Sequence, residues 1–134
     1  MKTSLNGRMV RAGQAAGEAL VSPVAIGFLG GVDPKTGIIL EPNHPLKGQT
    51  VAGKVLVFPH GKGSTVGSYT ILRLARNGVA PLAMLNANSE AITAVGAIIA
   101  DIPMVDLLDI TQINSGDWVV VTDARVDVYE KQPD

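Results

Sequence analysis

The sequence contains no cysteine, which excludes two kinds of chemistry for this chain. It cannot form disulfide bonds, and it cannot supply thiolate ligands to a metal ion or an iron–sulfur cluster. The two histidines, His44 and His60, have no carboxylates at ligand spacing, so the residues predict no metal site of the chain's own. Any cluster that the protein uses must be held by another chain.

Charged and aromatic residues are also scarce, at 17% and 4% of the 134 positions, and the net charge is −1. Nucleic-acid binding needs a basic surface or a set of stacking aromatics, so we expect no nucleic-acid partner. No segment approaches the ~20 apolar residues of a membrane span, and residues 1–10 lack the apolar core of a signal peptide. The sequence thus predicts a soluble, cytoplasmic protein without membrane contact. Because little charged surface is available to keep the domain solvated, it also predicts a permanent protein partner.

A chain of this length predicts a single domain, residues 1–134. Short apolar runs separated by glycine and proline predict strands over 9–12, 18–20, 38–40, 55–58, 82–85, 102–105, 117–122 and 125–129. Helical spacing predicts one helix after the fourth of these strands and another, 90–100, after the fifth. Two consecutive strand–helix units predict parallel strands, with the flanking strands in a second layer. The predicted fold class is α/β, a three-layer β/β/α domain.

The ends of both helices carry recognisable signals. Ser64 or Thr65 can cap the first helix, and Asn77-Gly78 ends it. Ser89 is the predicted cap of the second. The recurring positions on one face of the first helix are Val66, Tyr69 and Leu72.

The most informative segment is the loop 59–68, which joins a buried strand to the first helix. Gly61 and Gly63 let the backbone approach a ligand closely, and the helix start offers unpaired N–H groups with partial positive charge. The spacing of its residues excludes a P-loop, a dinucleotide fingerprint and a nucleophile elbow. What remains is Ser64, which becomes a proton acceptor only if backbone donors and Lys62 stabilise its alkoxide. The alternative is that Ser64 only caps the helix and the glycines only form a turn.

Other polar residues near this loop are weaker candidates. His60 precedes it and is a candidate proton shuttle, although no acid is placed to orient its ring. His44, between Asn43 and Pro45, is expected in an exposed loop. Three further candidates follow the next strand, at the edge where open parallel sheets bind ligands; they are Asn86, Asn88 and Glu90. Their alternative role is capping and turn formation.

Six segments in this order resemble the small subunit of the aconitase X family. They are FLGGVD (28–33), GKVLVFP (53–59), GKGSTVGSY (61–69), NGVAP (77–81), AVGAII (94–99) and IPMVD (102–106). The resemblance implies a swivelling β/β/α domain that closes over a large subunit carrying an iron–sulfur cluster. It implies that Ser64 is the catalytic base. We expect the loop residues Gly61, Lys62, Gly63, Thr65 and Ser68 to bind substrate.

One departure from the related loop of aconitase bears on the substrate. That loop has the form Gly-x-Gly-Ser-Ser-Arg, and its arginine grips a substrate carboxylate, whereas Val66 stands at the corresponding position here. The resemblance therefore implies a substrate with fewer carboxylates. Within the family, the loop is similar to that of the archaeal members that dehydrate 5-phosphomevalonate to trans-anhydromevalonate 5-phosphate in the mevalonate route to isoprenoids. Members that dehydrate cis-3-hydroxyproline are one alternative, and a non-catalytic phosphate-binding or regulatory subunit is another.

Overall fold

The computed structural model describes residues 1–133. Its elements in chain order are strands β1 (Thr3–Asn6), β2 (Arg8–Arg11), β3 (Gln14–Val21), β4 (Ile26–Gly27), β5 (Val55–Phe58) and β6 (Gly61–Lys62), helix α1 (Gly67–Arg76), strand β7 (Ala83–Asn86), helix α2 (Ala91–Ile99), strand β8 (Met104–Asp106), a 3-10 helix (Ile110–Gln112), and strands β9 (Trp118–Thr122) and β10 (Arg125–Tyr129).

Eight of the strands form one mixed sheet in the order β1-β10-β9-β3-β5-β7-β8-β2. The four central strands β3, β5, β7 and β8 are parallel, as the two strand–helix units predict, and the remaining pairs are antiparallel. Strands β4 and β6 pair separately, in parallel, beside the carboxyl end of β5. This small second sheet positions the loop of interest.

The fold has three layers, and one hydrophobic cluster lies between each pair of adjacent layers. On β5, Leu56 and Phe58 belong to the cluster that includes Ile71 and Leu74 of α1. The alternate residues Val55 and Val57 belong to the cluster that includes the valines of β9 and β10. Because successive side chains on a strand point to opposite faces, the parallel strands are covered on both sides, by the helices and by the antiparallel strands. The predicted β/β/α layering is confirmed.

The first two strands lie at opposite ends of the strand order although Gly7 alone separates them. β1 pairs with β10, and β2 pairs with β8. A Cβ on Gly7 would overlap the Asp106 carbonyl oxygen and lie 2.7 Å from Val105 Cγ1. Only glycine therefore fits at the corner where the chain passes from one end of the sheet to the other.

The predicted cap and apolar face of α1 are wrong. The helix begins at Gly67, and its N-cap is Val66, which makes no side-chain hydrogen bond. The buried side is formed by residues such as Ile71 and Leu74, whereas Tyr69 is 62% exposed. Apolar residues occur on both sides of this helix, so spacing alone did not identify the side that packs. The predicted end at Asn77-Gly78 is confirmed.

The cap of α2 is also corrected. Glu90, not Ser89, is the N-cap, and its carboxylate accepts hydrogen bonds from the backbone N–H groups of Ile92 and Thr93. Ser89 instead donates a hydrogen bond to Asp106 at 2.6 Å. The strand prediction missed β1, β4 and β6, and the strand predicted over 38–40 is reduced to isolated bridges, Val32 with Ile39 and Ile38 with Thr50.

Candidate active site

The loop 59–66 leaves the carboxyl end of β5 and enters α1. Its first half is tied to the domain by the β4–β6 ladder, in which Ile26 pairs with Gly61 and Gly27 pairs with Lys62. Gly63 follows with φ of +98°, a left-handed conformation that favours glycine. This turn brings Ser64 to the start of the helix.

Ser64 is exposed and its hydroxyl oxygen accepts a hydrogen bond from the Val66 N–H at 3.2 Å. Its carbonyl accepts one from the Gly67 N–H at 2.9 Å. These bonds form a serine turn that leads into α1, not a helix cap. The hydroxyl thus lies on an open surface, close to the positive end of a helix dipole.

Thr65 and Ser68, both predicted to bind substrate, occupy different environments. Thr65 is exposed, whereas Ser68 is buried and donates a hydrogen bond to the Thr65 carbonyl at 3.3 Å. Ser68 therefore stabilises the loop from inside. In this structure only Thr65 of the two is open to a ligand.

The floor of the loop is a close contact between Gly61 and the start of α2. A Cβ on Gly61 would overlap Thr93 Oγ1 and lie 2.7 Å from Glu90 Oε1. Glu90 accepts hydrogen bonds from the backbone N–H and from the hydroxyl of Thr93, so the side chains of Glu90 and Thr93 are both held in place. Of the three polar residues predicted at the carboxyl edge of the sheet, Glu90 is the one whose side chain lies against Gly61.

Lys62 forms an ion pair with Glu41, with Nζ and Oε1 3.0 Å apart. Its side chain is half-exposed, whereas that of Glu41 is 24% exposed. Glu41 lies in a segment without a recognisable motif, so no sequence pattern indicates this ion pair.

His44 has the opposite environment to the one predicted, and His60 lies on the surface. His44 is buried, not exposed. Its Nδ1 accepts a hydrogen bond from the Leu46 N–H at 3.0 Å, and its Nε2 faces Ser22 Oγ at 3.4 Å. His60 is exposed, and its Nδ1 donates to the Gly61 carbonyl at 2.7 Å. Neither of these contacts joins a histidine to Ser64.

Asn86 ends β7 and is fully buried. Its amide N–H group donates to the Phe58 carbonyl at 2.9 Å, which ties the ends of β5 and β7 together. Its Oδ1 has no hydrogen-bond partner among residues 1–133. Asn88 is exposed, and its N–H donates to the Pro59 carbonyl at 3.1 Å. Both residues therefore support the base of the loop.

Asp106 is a buried carboxylate that the sequence analysis did not single out. It accepts two hydrogen bonds from Arg8, at 2.9 and 2.6 Å, and one from Ser89. Burial alone would raise the pKa of the Asp106 carboxyl, but the hydrogen bonds from Arg8 and Ser89 outweigh it and hold that pKa below its usual range. The carboxylate thus joins β2 to β8 and to the segment before α2.

Three apolar residues are exposed at the start of α1 and in the segment beside it. Leu29, Val66 and Tyr69 are 50%, 48% and 62% exposed. A Cβ on Gly67 would lie 3.9 Å from the Leu29 backbone nitrogen, so the segment that bears Leu29 is adjacent to the start of α1. We call these three residues the apolar rim. Apolar side chains that flank an open polar loop are typical of a surface that another chain covers.

A separate cavity of about 520 Å³ lies at the carboxyl ends of β3 and β5. Its lining includes Val21, Pro59 and Ile113 but no residue from 61–66. The predicted site residues Lys62, Gly63, Ser64 and Thr65 are exposed and lie outside this cavity, and Gly61 is buried beneath them. A substrate bound there needs a second wall.

Comparison with known proteins identifies the class of this domain. The model of the aconitase X swivel domain matches residues 4–129, and the chain belongs to that family. The chain is 58% identical over 105 residues to the phosphomevalonate dehydratase small subunit of Methanosarcina acetivorans, covering 78% of this chain and 73% of that one. It is 56% identical over 120 residues to the corresponding small subunit of Methanocella arvoryzae, covering 87% and 91% of the two chains.

A solved structure agrees with this assignment. The crystal structure of Thermococcus kodakaraensis aconitase X in its holo-form superimposes with a TM-score of 0.94 at 48% sequence identity. The match covers 96% of this chain and 99% of that one. The swivel fold and the family resemblance expected from the sequence are both confirmed.

No helix in the described residues 1–133, including α1 and α2, is long and apolar enough to cross a membrane. Over the same residues, no group of three or more histidine, aspartate or glutamate side chains is arranged to hold a metal ion.

Proposed function

We propose that this chain is the small subunit of a phosphomevalonate dehydratase, a hydro-lyase that acts together with a large subunit in the cytoplasm. The observation that carries the proposal is the exposed Ser64 at the start of α1, within a chain 58% identical to a subunit of that name. The substrate is 5-phosphomevalonate and the product trans-anhydromevalonate 5-phosphate. The reaction removes a proton from the carbon next to the carboxylate and hydroxide from the adjacent carbon.

Ser64 is the proton acceptor in this proposal. A serine hydroxyl is a poor base unless its alkoxide is stabilised. Ser64 Oγ already accepts the Val66 N–H, and the remaining N–H groups at the start of α1 add positive potential at the same place. These donors are fixed before substrate binds, which is the arrangement that stabilises a developing anion most effectively.

Lys62 and Thr65 are the substrate-binding side chains of this subunit, with the backbone of Gly61 and Gly63 beside them. Lys62 supplies a positive charge within two residues of Ser64, suited to an anionic substrate group. Thr65 is exposed next to the base and offers a hydroxyl. Ser68 acts from inside the loop, through its bond to the Thr65 carbonyl.

The large subunit completes the site. It covers the apolar rim and carries the iron–sulfur cluster, whose thiolate ligands this cysteine-free chain cannot supply. The cluster would act as a Lewis acid on the departing hydroxyl group. The small subunit's own contribution is to present Ser64 to the acidic carbon and to exclude water when the two subunits close.

The decisive experiment is Ser64→Ala in the complex reconstituted with its large subunit. We expect kcat for 5-phosphomevalonate to fall by about 10²–10⁴-fold, since general-base catalysis contributes that much. Ser4→Ala, an exposed serine on β1, is the control and should retain the wild-type rate. Retention of more than about a tenth of the rate by the Ser64 variant would rule out the base role. Assaying cis-3-hydroxyproline beside 5-phosphomevalonate identifies the substrate, and turnover of hydroxyproline alone would refute the proposal.

A further inference from the structure

We propose that Glu41 is a positioning residue for the loop that carries Ser64, and that it acts through Lys62. The inference rests on the proposed function, because its effect is read as catalysis. It concerns a residue outside the loop and outside every segment that carried the family resemblance.

The loop itself has few connections to the rest of the domain after Lys62. The hydrogen bonds of residues 64–66 run to neighbours within 64–70, inside the loop or into the first turn of α1. Before that point, the two-residue β4–β6 ladder holds the chain. The Lys62–Glu41 ion pair, with Nζ and Oε1 3.0 Å apart, adds a side-chain connection at the last position of this ladder.

Glu41 is suited to this role because its own backbone is well fixed. Its N–H and that of Leu40 both donate to the Gly31 carbonyl, at 3.3 and 2.8 Å. The Glu41 carbonyl in turn accepts the N–H of the buried His44 at 3.2 Å. The carboxylate therefore projects from a rigid turn, and a flexible lysine is held against it.

Three glycines bring this turn close to the loop. A Cβ on Gly31 would overlap the Gly27 carbonyl oxygen, and a Cβ on Gly27 would lie 3.3 Å from the Lys62 carbonyl oxygen and 3.7 Å from Glu41 Oε1. A Cβ on Gly63 would lie 4.0 Å from the Gly27 Cα. The backbones of β4, β6 and the segment near Glu41 thus converge without intervening side chains, which explains Gly27 and Gly31.

A partly exposed ion pair contributes little to stability, so its main effect here is geometric. Lysine has many rotamers, and the pair selects those that leave the ammonium beside the loop. Small displacements of catalytic groups reduce rates strongly, up to about 10²-fold for 1 Å. Loss of Glu41 should therefore lower kcat while changing thermal stability very little.

The experiment is a double-mutant cycle in the reconstituted complex, with Glu41→Ala, Lys62→Met and the double variant. We expect Glu41→Ala to lower kcat for 5-phosphomevalonate by about tenfold, with KM changed less than about threefold, in keeping with a misplaced base. In the Lys62→Met background, Glu41→Ala should have no further effect, because the partner through which it acts is gone. Glu18→Ala is the matched control, since Glu18 pairs with Lys54 at 3.5 Å in the same manner but away from the loop.

Two outcomes would overturn the inference. One is an unchanged or increased kcat in Glu41→Ala, and the other is an equal loss in the wild-type and Lys62→Met backgrounds. Melting curves of each variant identify any that fail to fold, and for such a variant Glu41→Gln replaces Glu41→Ala in the cycle. If the wild-type complex does not turn over 5-phosphomevalonate, the proposed function fails instead, so the two failures are distinguishable.

Discussion

Thr93 Oγ1 occupies the space in which a side chain on Gly61 would begin. The contact joins the start of the Ser64 loop to the first turn of α2, and Glu90 Oε1 lies 2.7 Å from the same point. Gly61 has no left-handed backbone conformation, so it is the close approach that requires glycine here.

We expect Gly61→Ala to displace the loop. The added methyl group must push either Thr93 or β6 away, which should cost about 1–3 kcal/mol of unfolding free energy, as overpacking does. Because Ser64 moves with the loop, kcat of the reconstituted complex should fall by about 10²-fold. Thermal melting and steady-state kinetics measure the two effects.

Gly67→Ala is the control for that substitution. Its Cβ would make only ordinary contacts, the nearest at 3.6 Å from Ile92, and alanine is favoured over glycine in a helix. This variant should be as stable as wild type or more stable. If Gly61→Ala and Gly67→Ala had the same stability and the same kcat, the close contact with Thr93 would not be what holds the loop in place.

A second prediction concerns Arg8 and the pH dependence of stability. The folded-state pKa of Asp106 is below its unfolded value, so this carboxylate contributes stability that is complete above about pH 4 and is lost as pH falls through the folded pKa. Arg8→Met removes two hydrogen bonds and leaves burial to raise the pKa. The variant should be destabilised most near neutral pH, and less in acid, where the carboxyl is protonated.

Denaturant unfolding of wild type and variant between pH 3 and pH 7 tests this. Arg125→Met is the matched variant, because Arg125 pairs with the less buried Asp127 at 2.9 Å. We expect it to lose less stability than Arg8→Met. An equal loss in the two variants, or a loss for Arg8→Met that does not depend on pH, would contradict the prediction.

A third prediction concerns the large-subunit interface. Tyr69→Glu places a charge on the apolar rim, and the dissociation constant for the large subunit should rise at least about tenfold, as for a substituted interface hot spot. Leu82→Glu is the control, since Leu82 is 40% exposed but precedes β7, at the edge opposite the loop. Titration calorimetry gives both constants. Similar weakening by the two substitutions would mean that the rim is not the binding surface.

The central part of the fold could be predicted from the sequence because local patterns determine it. The continuous apolar run of β5 marks a strand covered on both faces, and Asn77-Gly78 marks the end of α1. The closing hairpin of β9 and β10 follows from two β-rich runs around Asp123, which has φ of +56°.

The errors arose where long-range contacts decide the outcome. Ser89 is of a residue type that often caps helices, but its hydroxyl donates a hydrogen bond to Asp106, 17 positions away. His44 is buried because the turn around it folds over Ser22, which no local pattern indicates. Short β1 lacks a pattern of its own and exists because β10 offers it a partner.

The candidate site likewise has a part that local patterns predict and a part that long-range contacts decide. The loop and Ser64 follow from glycine spacing, from the helix start and from the family resemblance. Glu41 could not be found, because its link to Lys62 depends on the close approach of three backbone segments. Gly27 and Gly31 permit that approach, but glycines in a sequence do not indicate which side chains meet there.

The corner at Gly7 has a consequence for the order in which this chain can fold during synthesis. Residues 3–11 leave the ribosome before the partners of both their strands, which lie between 104 and 129. The first two strands must therefore remain without their partners until β8 and β10 have been made. Pairing of β1 with β10 and of β2 with β8 then completes the two ends of the sheet, so a chain interrupted before β8 would lack both of these strand pairs.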